Sequence, residues 1–532
     1  MSENMHKDTT QLDDLELEAA GYRSAMPRQF SLSSLGALSF TLTCTWLGTG
    51  SSVGISLTEA SSAGTIWALP IAGAMTLVVA AGMAELASAY PVAGAQYYWA
   101  FMVASDEYKS FASYLNAWIS ILGWWLGAAS VSNFVASMIL DIAIIWYPSY
   151  QFEHWHQYLI YVALAWVAVA FNVFASRWIP LLNKLIFVLS ALTLGATTLT
   201  LFITARNKHA SGKFIFADNT NRSGWSSDGW AFMLAIGNAV FSYLGSDCGA
   251  HMCEEIPSPG RNVPKVIMVP LIMGLVTAFP FAVSLMYSIT SLSDVLDTPT
   301  GLPLLEIYYQ GTGSKEGASV LLALFAFCFF GCLVANMTTC SRTLWAVSRD
   351  GALPFSHVWM RVHPRWKMPA NAILLSGTLI SIYGVIFIGS STAFSAMVSA
   401  AIIFQQTSCI IPQAIVLYRG RDSVLPERYF NLRQYGPYVN GVAVVWVIFL
   451  DVLYCFPTSL PVTPQNMSYV SVVSVGLVGF VIVLWFATKK GQFKGPHIDY
   501  DLLNARRHAA IEGTEEISAV SVHTIRGKHA MD

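Results

Sequence analysis

The 532-residue sequence has little charge, because Asp, Glu, Lys and Arg make up only 11% of it. An average soluble domain has roughly 25% charged residues. This shortage, together with 55% hydrophobic residues, excludes an ordinary water-soluble protein and indicates an integral membrane protein. We therefore expect the lipid bilayer as its surroundings and no nucleic-acid partner.

The sequence also lacks a disulfide framework and a recognised metal-binding motif. All eight cysteines fall in or at the edges of apolar stretches, so no pairing is implied. Four potential soft-metal ligands lie close together in the sequence: Cys248, His251, Cys253 and Glu254. They do not share one helical face and lack a recognised ligand spacing, so we expect no metal site. H-E-x-x-H does not occur, and we expect no enzyme activity and no cofactor.

Long apolar runs, in contrast, are abundant. About twelve of them reach the roughly 20 residues that a membrane-spanning helix needs. The predicted spans are 31–58, 66–88, 113–146, 158–176, 181–204, 229–253, 264–289, 317–347, 371–389, 394–418, 439–456 and 468–488. This pattern predicts an all-α polytopic membrane domain over residues 31–490. The polar flanks 1–30 and 491–532 have too little apolar surface to fold alone, and we expect disordered cytoplasmic tails.

The basic residues predict the orientation, since cytoplasmic loops retain Lys and Arg. With the N-terminus inside, 24 of the 29 basic residues lie at or near the cytoplasmic side. The five outside are Arg206, Lys208, Lys213, Arg222 and Lys315. The sequons at Asn221 and Asn466 fall in loops predicted outside, and Asn221 is the better glycosylation candidate because its loop is longer. The N-terminal segment is neither a signal peptide nor a transit peptide, and we expect both termini in the cytoplasm.

Two spans carry polar, glycine-rich interruptions at membrane depth. The first reads TWLGTGSSVGIS (45–56) and the sixth FSYLGSDCGAHMCEE (241–255). Irregular backbone is tolerated at that depth only where protein shields it or a water-filled cavity faces it. The first and sixth spans hold matching places in two five-span halves, and because five is odd the halves are inverted. Such paired interruptions predict a secondary transporter with its substrate site at the midplane; the alternative is that the glycines only allow close helix packing.

Several segments resemble a known family. The segments AELASAYPVAGAQYYW (84–99), HMCEEIPSPGRNVPKVI (251–267) and SRTLWAVSRDGALPFSHVW (341–359) resemble signatures of the amino acid–polyamine–organocation transporter superfamily. LGSDCGAHMCEE, KFIFADNTNRSGW and LPVTPQNMSYVSVV resemble its fungal amino acid and choline permease branch. The resemblance covers roughly residues 30–490 and implies a 5+5 inverted-repeat core (LeuT-like) with broken helices 1 and 6, two further helices, alternating access and proton-coupled uptake. The sequence departs from many fungal relatives at SSAG (61–64) and at FQQTSCIIP (404–412).

The interrupted spans supply the candidate substrate ligands. They are Trp46, Gly50, Ser51, Ser52, Phe241, Ser242, Tyr243, Gly245 and Asp247. The two serines with the following backbone suit a carboxylate. Asp247 with aromatic faces, including Trp125, suits an amine, and the resemblance implies that Phe241 is an aromatic gate, although it could be ordinary core.

Asp247 is the one carboxylate predicted near the middle of a span, where it costs about 2.5–3.5 kcal/mol on insertion scales. We predict that it is a counter-charge for an ammonium group or a proton carrier. The alternative is that it accepts hydrogen bonds from free backbone N–H groups at the helix break. His251, at i+4, is predicted to bond Asp247 rather than to contact substrate.

Other polar residues have both a functional and a structural explanation. Glu254 and Glu255 are predicted as an inner gate or a loop anchor, near Arg261 and Lys265. Lys184 could replace a coupling sodium ion, but the excess of basic residues at the cytoplasmic side explains it more simply. The hydroxyls of the eighth span could line a sodium site or bond to the preceding helical turn. The family resemblance favours protons as the coupling ion.

Together these features predict a plasma-membrane importer of a small amino compound, such as choline, 4-aminobutyrate or another amino acid. A polyamine carrier and a nutrient receptor built on a transporter fold are the alternatives. A channel is disfavoured, because a central acidic residue with paired broken helices suits occlusion better than a continuous pore.

Overall fold

A computed structural model describes residues 13–14, 17–298, 301–496 and 498. Within these ranges the chain is helical and contains no strand. The helices, in chain order, are α1 Leu32–Thr43, α2 Thr45–Ser51, α3 Val53–Ala89, α4 Ala95–Val103, α5 Lys109–Trp146, α6 His154–Phe174, α7 Ile179–Thr204, α8 Gly212–Ala217, α9 Asp228–Val240, α10 Cys248–His251, α11 Pro259–Ser288, α12 Leu292–Leu296, α13 Pro303–Thr312, α14 Lys315–Arg349, α15 Ser356–Trp359, α16 Ala370–Gly389, α17 Ser391–Arg419, α18 Arg421–Val424, α19 Gly436–Leu453 and α20 Val470–Leu484.

Ten helical segments of the described chain are long and apolar enough to cross a membrane. They contain α3, α5, α6, α7, α11, α14, α16, α17, α19 and α20. Most of their ends lie within a few residues of a predicted span, and α3 contains the whole second span together with the end of the first. The all-α polytopic fold is therefore confirmed. The predicted spans 31–58 and 229–253 are the ones that are not continuous helices, so the exact number of crossings stays a prediction.

The first predicted span is broken at Cys44 and again at Ser52. Cys44 has φ 24° and ψ 61°, a left-handed conformation that costs energy for a residue with a side chain. Ser52, with φ −106° and ψ 7°, separates α2 from α3. Gly48, in the stretch where we predicted the interruption, lies inside the short α2. Farther along, α3 turns at Ala60 and Ser61, where the first predicted span passes into the second.

The sixth predicted span is interrupted where the sequence indicated. After α9 the chain forms a 3-10 turn over Phe241–Tyr243 and an extended residue at Leu244, with ψ 156°. Gly245 follows with φ 75°, a conformation that glycine adopts readily. A Cβ atom there would collide with the side chain of Leu42. Glycine at position 245 therefore suits both the left-handed backbone conformation and the close approach of Leu42.

The two interrupted stretches touch each other. A Cβ atom at Gly48 would lie only 2.5 Å from the Cα atom of Ser242, so the backbones can approach only because residue 48 is glycine. Beside this contact, Thr49 Oγ1 donates to Ser242 Oγ at 3.3 Å. Helix α5 packs against both α14 and α17, and residues of all three helices lie beside this crossing. The fold thus brings both interruptions to one place inside the bundle.

The described part of the N-terminal segment differs from the disordered tail that we predicted. Within residues 17–30, Tyr22 is 6% and Phe30 2% exposed. The Tyr22 hydroxyl donates to Asp350 at 2.8 Å, just beyond the end of α14. Burial of these aromatic rings stabilises the segment against the bundle. Residues 1–12 lie outside the described residues, so the prediction for them is not addressed.

The C-terminal segment predicted as a disordered tail is described only over its first residues. Phe493 is buried, with its ring 5.8 Å from Tyr114 and 6.4 Å from Trp485. The chain therefore stays packed against the bundle a few residues beyond the predicted boundary at residue 490. Residues 499–532 lie outside the described residues.

Candidate substrate and coupling site

A cavity of about 40 Å³ lies where the two interruptions meet α5, α14 and α17. Its lining consists of Leu42, Thr43, Cys44, Gly48, Gly127, Ser130, Val131, Phe241, Leu244, Gly245, Phe329, Cys332, Asn336, Ala401 and Gln405. A water molecule needs roughly 10–15 Å³ by this measure, so the cavity holds about three. An organic amine is larger than that, and binding one requires the lining to move apart.

Aromatic rings form one side of the cavity. Phe241 and Phe329 both line it. Phe134 packs behind them, with its ring 5.6 Å from Phe241 and stacked on Phe329 at 6.1 Å and 18°. A cation over such a ring gains about 0.5–2 kcal/mol. This wall therefore suits an apolar or cationic group better than a carboxylate.

Two buried amides supply the polar side of the cavity. Gln405 Oε1 accepts a hydrogen bond from the Gly245 backbone N–H at 3.2 Å. Asn336 Oδ1 is buried and has no hydrogen-bond partner in the described part of the chain. Leaving a buried acceptor unpaired costs about 1–3 kcal/mol, so this oxygen is ready to accept a donor from a ligand or a water. Sequence reasoning did not find these residues, although amides within apolar spans, as in FQQTSC, were the available signal.

Asp247 lies beside the cavity rather than in its lining. The residue is 2% exposed and follows Gly245 by two positions. Its Oδ2 accepts a hydrogen bond from Gln96 Nε2 at 2.5 Å and lies 3.2 Å from His251 Nε2. The structure thus joins Asp247 to His251 as the i+4 spacing predicted, and adds Gln96, which the sequence did not indicate.

The surroundings of His251 restrict where its protons sit. Nδ1 lies 3.3 Å from the carbonyl oxygen of Ala93, which can only accept, so Nδ1 carries a hydrogen. Nε2 accepts from Trp124 Nε1 at 3.3 Å when the ring is neutral. A neutral ring offers the one lone pair of Nε2 either to Trp124 or to a protonated Asp247 carboxyl, whereas a protonated ring donates from Nε2 to the Asp247 carboxylate. The Asp247–His251 pair can therefore hold one additional proton in either of two places.

Two ion pairs join the end of the sixth span to α14. Arg349 binds Glu254 through both terminal nitrogens, at 2.9 and 3.0 Å. Arg342 Nε donates to Glu255 at 3.0 Å, and its side chain is completely buried. We expected Arg261 and Lys265 to be the neighbouring cations, but the partners come from α14, Arg342 within the eighth predicted span and Arg349 just beyond it. Both bonds hold the two elements together at this end of the bundle.

The docked N-terminal segment contacts the same end. Gln29 Nε2 donates to Glu255 at 2.8 Å. The guanidinium of Arg349 lies 3.7 Å from the centre of the Tyr22 ring, a cation–π contact. Burial raises the pKa of the neighbouring Asp350 carboxyl, which accepts from Tyr22. The N-terminal segment thus covers the ion pairs.

Three of the predicted aromatic ligands are not part of the cavity lining. Trp46 is buried edge-on between Phe281 and Phe325. The Tyr243 hydroxyl donates to a backbone carbonyl of α3 at 3.0 Å. Trp125 Nε1 donates to a serine of α16 at 3.1 Å. In this structure these rings contact other helices.

The predicted small residues of the first interruption lie near the cavity, but their groups are already bonded. Ser51 and Ser52 both donate to the Gly48 carbonyl, at 3.0 and 2.9 Å. A Cβ atom at Gly50 would lie 2.8 Å from the ring of Phe325. Of all the predicted substrate ligands, Phe241 and Gly245 are the two that line the cavity.

The residues considered for a sodium site are bonded within the protein. Lys184 is exposed on α7. Thr338 donates to Asn172 at 2.7 Å and to a carbonyl one turn earlier. Thr339 and Ser341 likewise donate to carbonyls of their own helix, at 3.2 and 2.7 Å. These bonds agree with the structural explanation, in which the hydroxyls bond to the preceding helical turn.

The two sequons lie at one end of the bundle. The loops that carry them are joined by a hydrogen bond of 2.6 Å from Leu460 N to Ser223 O. Asn221 Nδ2 donates to the carbonyl of Trp225 at 2.6 Å, and Asn466 Nδ2 donates to a carbonyl at 3.0 Å. A glycan on either nitrogen would replace these local bonds.

Comparison with known proteins gives matches over most of the chain. Residues 30–481 match the family model described as amino acid permease. The chain is 32% identical to the choline transporter of Saccharomyces cerevisiae over 91% of this chain and 86% of that protein. It is 29% identical to amino-acid permease 2 of Neurospora crassa, with 92% and 90% covered, and 28% identical to amino-acid permease BAT1 of Arabidopsis thaliana, with 91% and 95% covered. The similarity therefore extends over the whole membrane domain.

Proposed function

The chain belongs to the amino acid permease family, and from that premise we propose that it imports a small ammonium compound by proton symport. Membership makes it a multi-pass membrane transporter of small amino compounds and not an enzyme. The substrate, the coupling ion, the direction of transport and the plasma membrane location are the proposed parts. Choline-like cations are the first candidate substrate and zwitterionic amino acids the second.

The chemistry of the cavity is the observation that carries the substrate class. Phe241 and Phe329 offer aromatic faces, Asn336 and Gln405 offer carbonyl oxygens, and Asp247 adds a carboxyl beside the lining. Cation–π contacts and carbonyl acceptors both stabilise an ammonium group. The lining contains no Lys, Arg or His that would pair with a carboxylate, so a zwitterion would rely on backbone N–H groups at the interruptions.

The Asp247–His251 pair supports coupling to protons. Without an additional proton the pair has a net charge of −1, and with one it is neutral. An uncompensated charge is costly once the site is closed to water on both sides. We therefore infer that a transporter loaded with a zwitterion changes its side of access most readily when the pair has taken up a proton, whereas a cationic substrate itself compensates the charge of the pair without that proton.

Uptake measurements test this function directly. A host that lacks its own carriers, expressing the chain, is supplied with labelled choline, 4-aminobutyrate, a polyamine or amino acids, with the proton gradient intact or collapsed. We expect saturable, concentrative uptake of a small ammonium compound that falls to equilibration when the gradient is removed. Concentrative uptake that persists with the gradient collapsed would contradict proton coupling. No uptake of any amino compound would favour the nutrient receptor, and flux without saturation or counterflow would favour a channel.

Glycosylation tests the orientation. In a eukaryotic host, glycosidase treatment is expected to increase the electrophoretic mobility of the protein, and Asn221→Gln is expected to remove most of that shift because the loop of Asn221 is longer. Asn466→Gln is the matched variant, with a smaller expected effect. Epitope tags at either terminus that react on intact cells would contradict the cytoplasmic termini.

A further inference from the structure

A second cavity, of about 310 Å³, opens where α17 ends and α19 begins. It is separate from the substrate cavity, with which it shares no lining residue. Val416 and Leu417 form an apolar part of its wall. Arg421, Arg433 and Pro437 also line it. The cavity thus has apolar and cationic sides at one end of two membrane helices.

The guanidinium of Arg421 is only partly satisfied. Its Nη2 donates to the carboxylate of Glu85. The same carboxylate oxygen also accepts two bonds from Arg428, at 2.9 and 2.8 Å, so a single negative charge faces two positive ones. The Arg421 side chain is 9% exposed, and its Nη1 is buried with no hydrogen-bond partner among the residues that the structure describes. A buried cationic donor in this position lacks an anion.

The start of α19 adds positive potential to the same place. Helix α19 begins at Gly436, and within the described chain no side chain caps it. Pro437 has no N–H and the Gly436 N–H donates to the carbonyl of Arg433, so this end of α19 contributes the positive end of the helix dipole, which favours an anion. The guanidinium of Arg421 packs directly against Gly436, where a Cβ atom would collide with it. The exposed Arg433 and Asp422 also line the cavity, which leaves its charge positive overall.

Exposed tyrosines place the cavity at the edge of the bilayer. Tyr418 is 92%, Tyr429 80%, Tyr435 65% and Tyr438 75% exposed, all in the segment around the cavity. Amphipathic tyrosine rings are enriched where a membrane helix enters the headgroup layer. Helices α17 and α19 are both long and apolar enough to span. A ligand of this cavity is therefore supplied most directly by the lipid layer.

We propose that this cavity binds the phosphate of an anionic phospholipid headgroup. Arg421 Nη1 and Arg433 donate to the phosphate oxygens, the positive end of the α19 dipole favours their charge, and the apolar side at Val416 and Leu417 faces the lipid chains. Basic pockets between membrane helices are suited to such headgroups. Because Arg421 also bonds Glu85 on α3, a bound lipid braces α3, α17 and α19 against one another. This inference concerns lipid dependence and does not depend on the identity of the transported compound.

Lipid retention by the purified full-length protein tests the proposal. Protein equilibrated with vesicles of phosphatidylcholine alone, or of phosphatidylcholine with phosphatidylserine, is extracted, and the lipids that stay bound are counted by native mass spectrometry. We expect phosphatidylserine to be retained preferentially. Arg433→Gln is expected to weaken this retention about fivefold, the effect of roughly one basic residue near a lipid surface. Arg365→Gln removes an exposed arginine of another loop at the same end and is the matched control, expected to leave retention unchanged.

A second variant and a measurement of thermal stability complete the test. Gly436→Ala, which displaces the guanidinium of Arg421 without changing any charge, is expected to lower retention as well. The thermal midpoint of the protein in detergent is expected to rise with phosphatidylserine and not with inorganic phosphate at the same concentration. A rise with inorganic phosphate alone would assign the site to a soluble anion. Equal retention by the wild type and Arg433→Gln, or no preference for phosphatidylserine, would overturn the proposal.

Discussion

Replacing Asp247 with asparagine is expected to abolish proton-driven accumulation of substrate while the protein still reaches the membrane. Asparagine has nearly the same size and its carbonyl oxygen can still accept the bond from Gln96, so the fold around it is retained. Asparagine can neither ionise nor exchange a proton with His251. The pair therefore can no longer take up and release the additional proton on which coupling depends. Uptake should then stop when the internal substrate concentration equals the external one. The measurement is the ratio of internal to external substrate, with the gradient present, at matched surface abundance.

The matched control for this variant is Asp141→Asn. Asp141 is also a buried carboxylate on a membrane-spanning helix, 5% exposed on α5, but it does not line the cavity. Its replacement is expected to leave concentrative uptake intact. Counterflow separates the two possible defects of Asp247→Asn, since an uncoupled carrier still exchanges labelled for unlabelled substrate and a carrier that cannot bind does not. Normal concentrative uptake by Asp247→Asn would refute the proposed role of this residue.

Arg342→Gln is expected to remove most of the folded protein. The Arg342 side chain is completely buried, and its Nε bonds the buried carboxylate of Glu255 at 3.0 Å. Removing one partner of a buried ion pair leaves an uncompensated charge and costs about 3–5 kcal/mol. Proteins are commonly stable by only about 5–15 kcal/mol, so this is a large share of the total. Surface abundance and the thermal midpoint of the extracted protein are the measurements.

The control for Arg342 removes both charges. The double variant Arg342→Met with Glu255→Gln has no buried unpaired charge, so it is expected to recover much of the lost abundance. Arg365→Gln, an exposed arginine at the same end, is expected to change neither quantity. A single Arg342→Gln variant with normal abundance and an unchanged thermal midpoint would show that the Arg342–Glu255 pair contributes little to folding.

The candidate site could be predicted from the sequence only in part. Gly245 was identified as an interruption, and it lines the cavity with Phe241, because a left-handed glycine and its neighbours are a local property of the chain. The contact between Asp247 and His251 also follows from local spacing, at i+4. Asn336 and Gln405 come from spans far away in the sequence, and no local rule indicates that their amides face the same cavity.

The sequence by itself determined that the chain is a helical membrane protein, roughly where its spans lie and where the sixth span is interrupted. These properties follow from the length of apolar runs and from backbone rules that act over a few residues. Only the tertiary structure decided which of many arginines pairs with each carboxylate. Glu85 bonds Arg421 and Arg428 more than 300 residues away, whereas basic residues nearer in sequence do not reach it. Partner choice of this kind depends on which helix ends pack together, because an ion pair forms only between groups within about 4 Å.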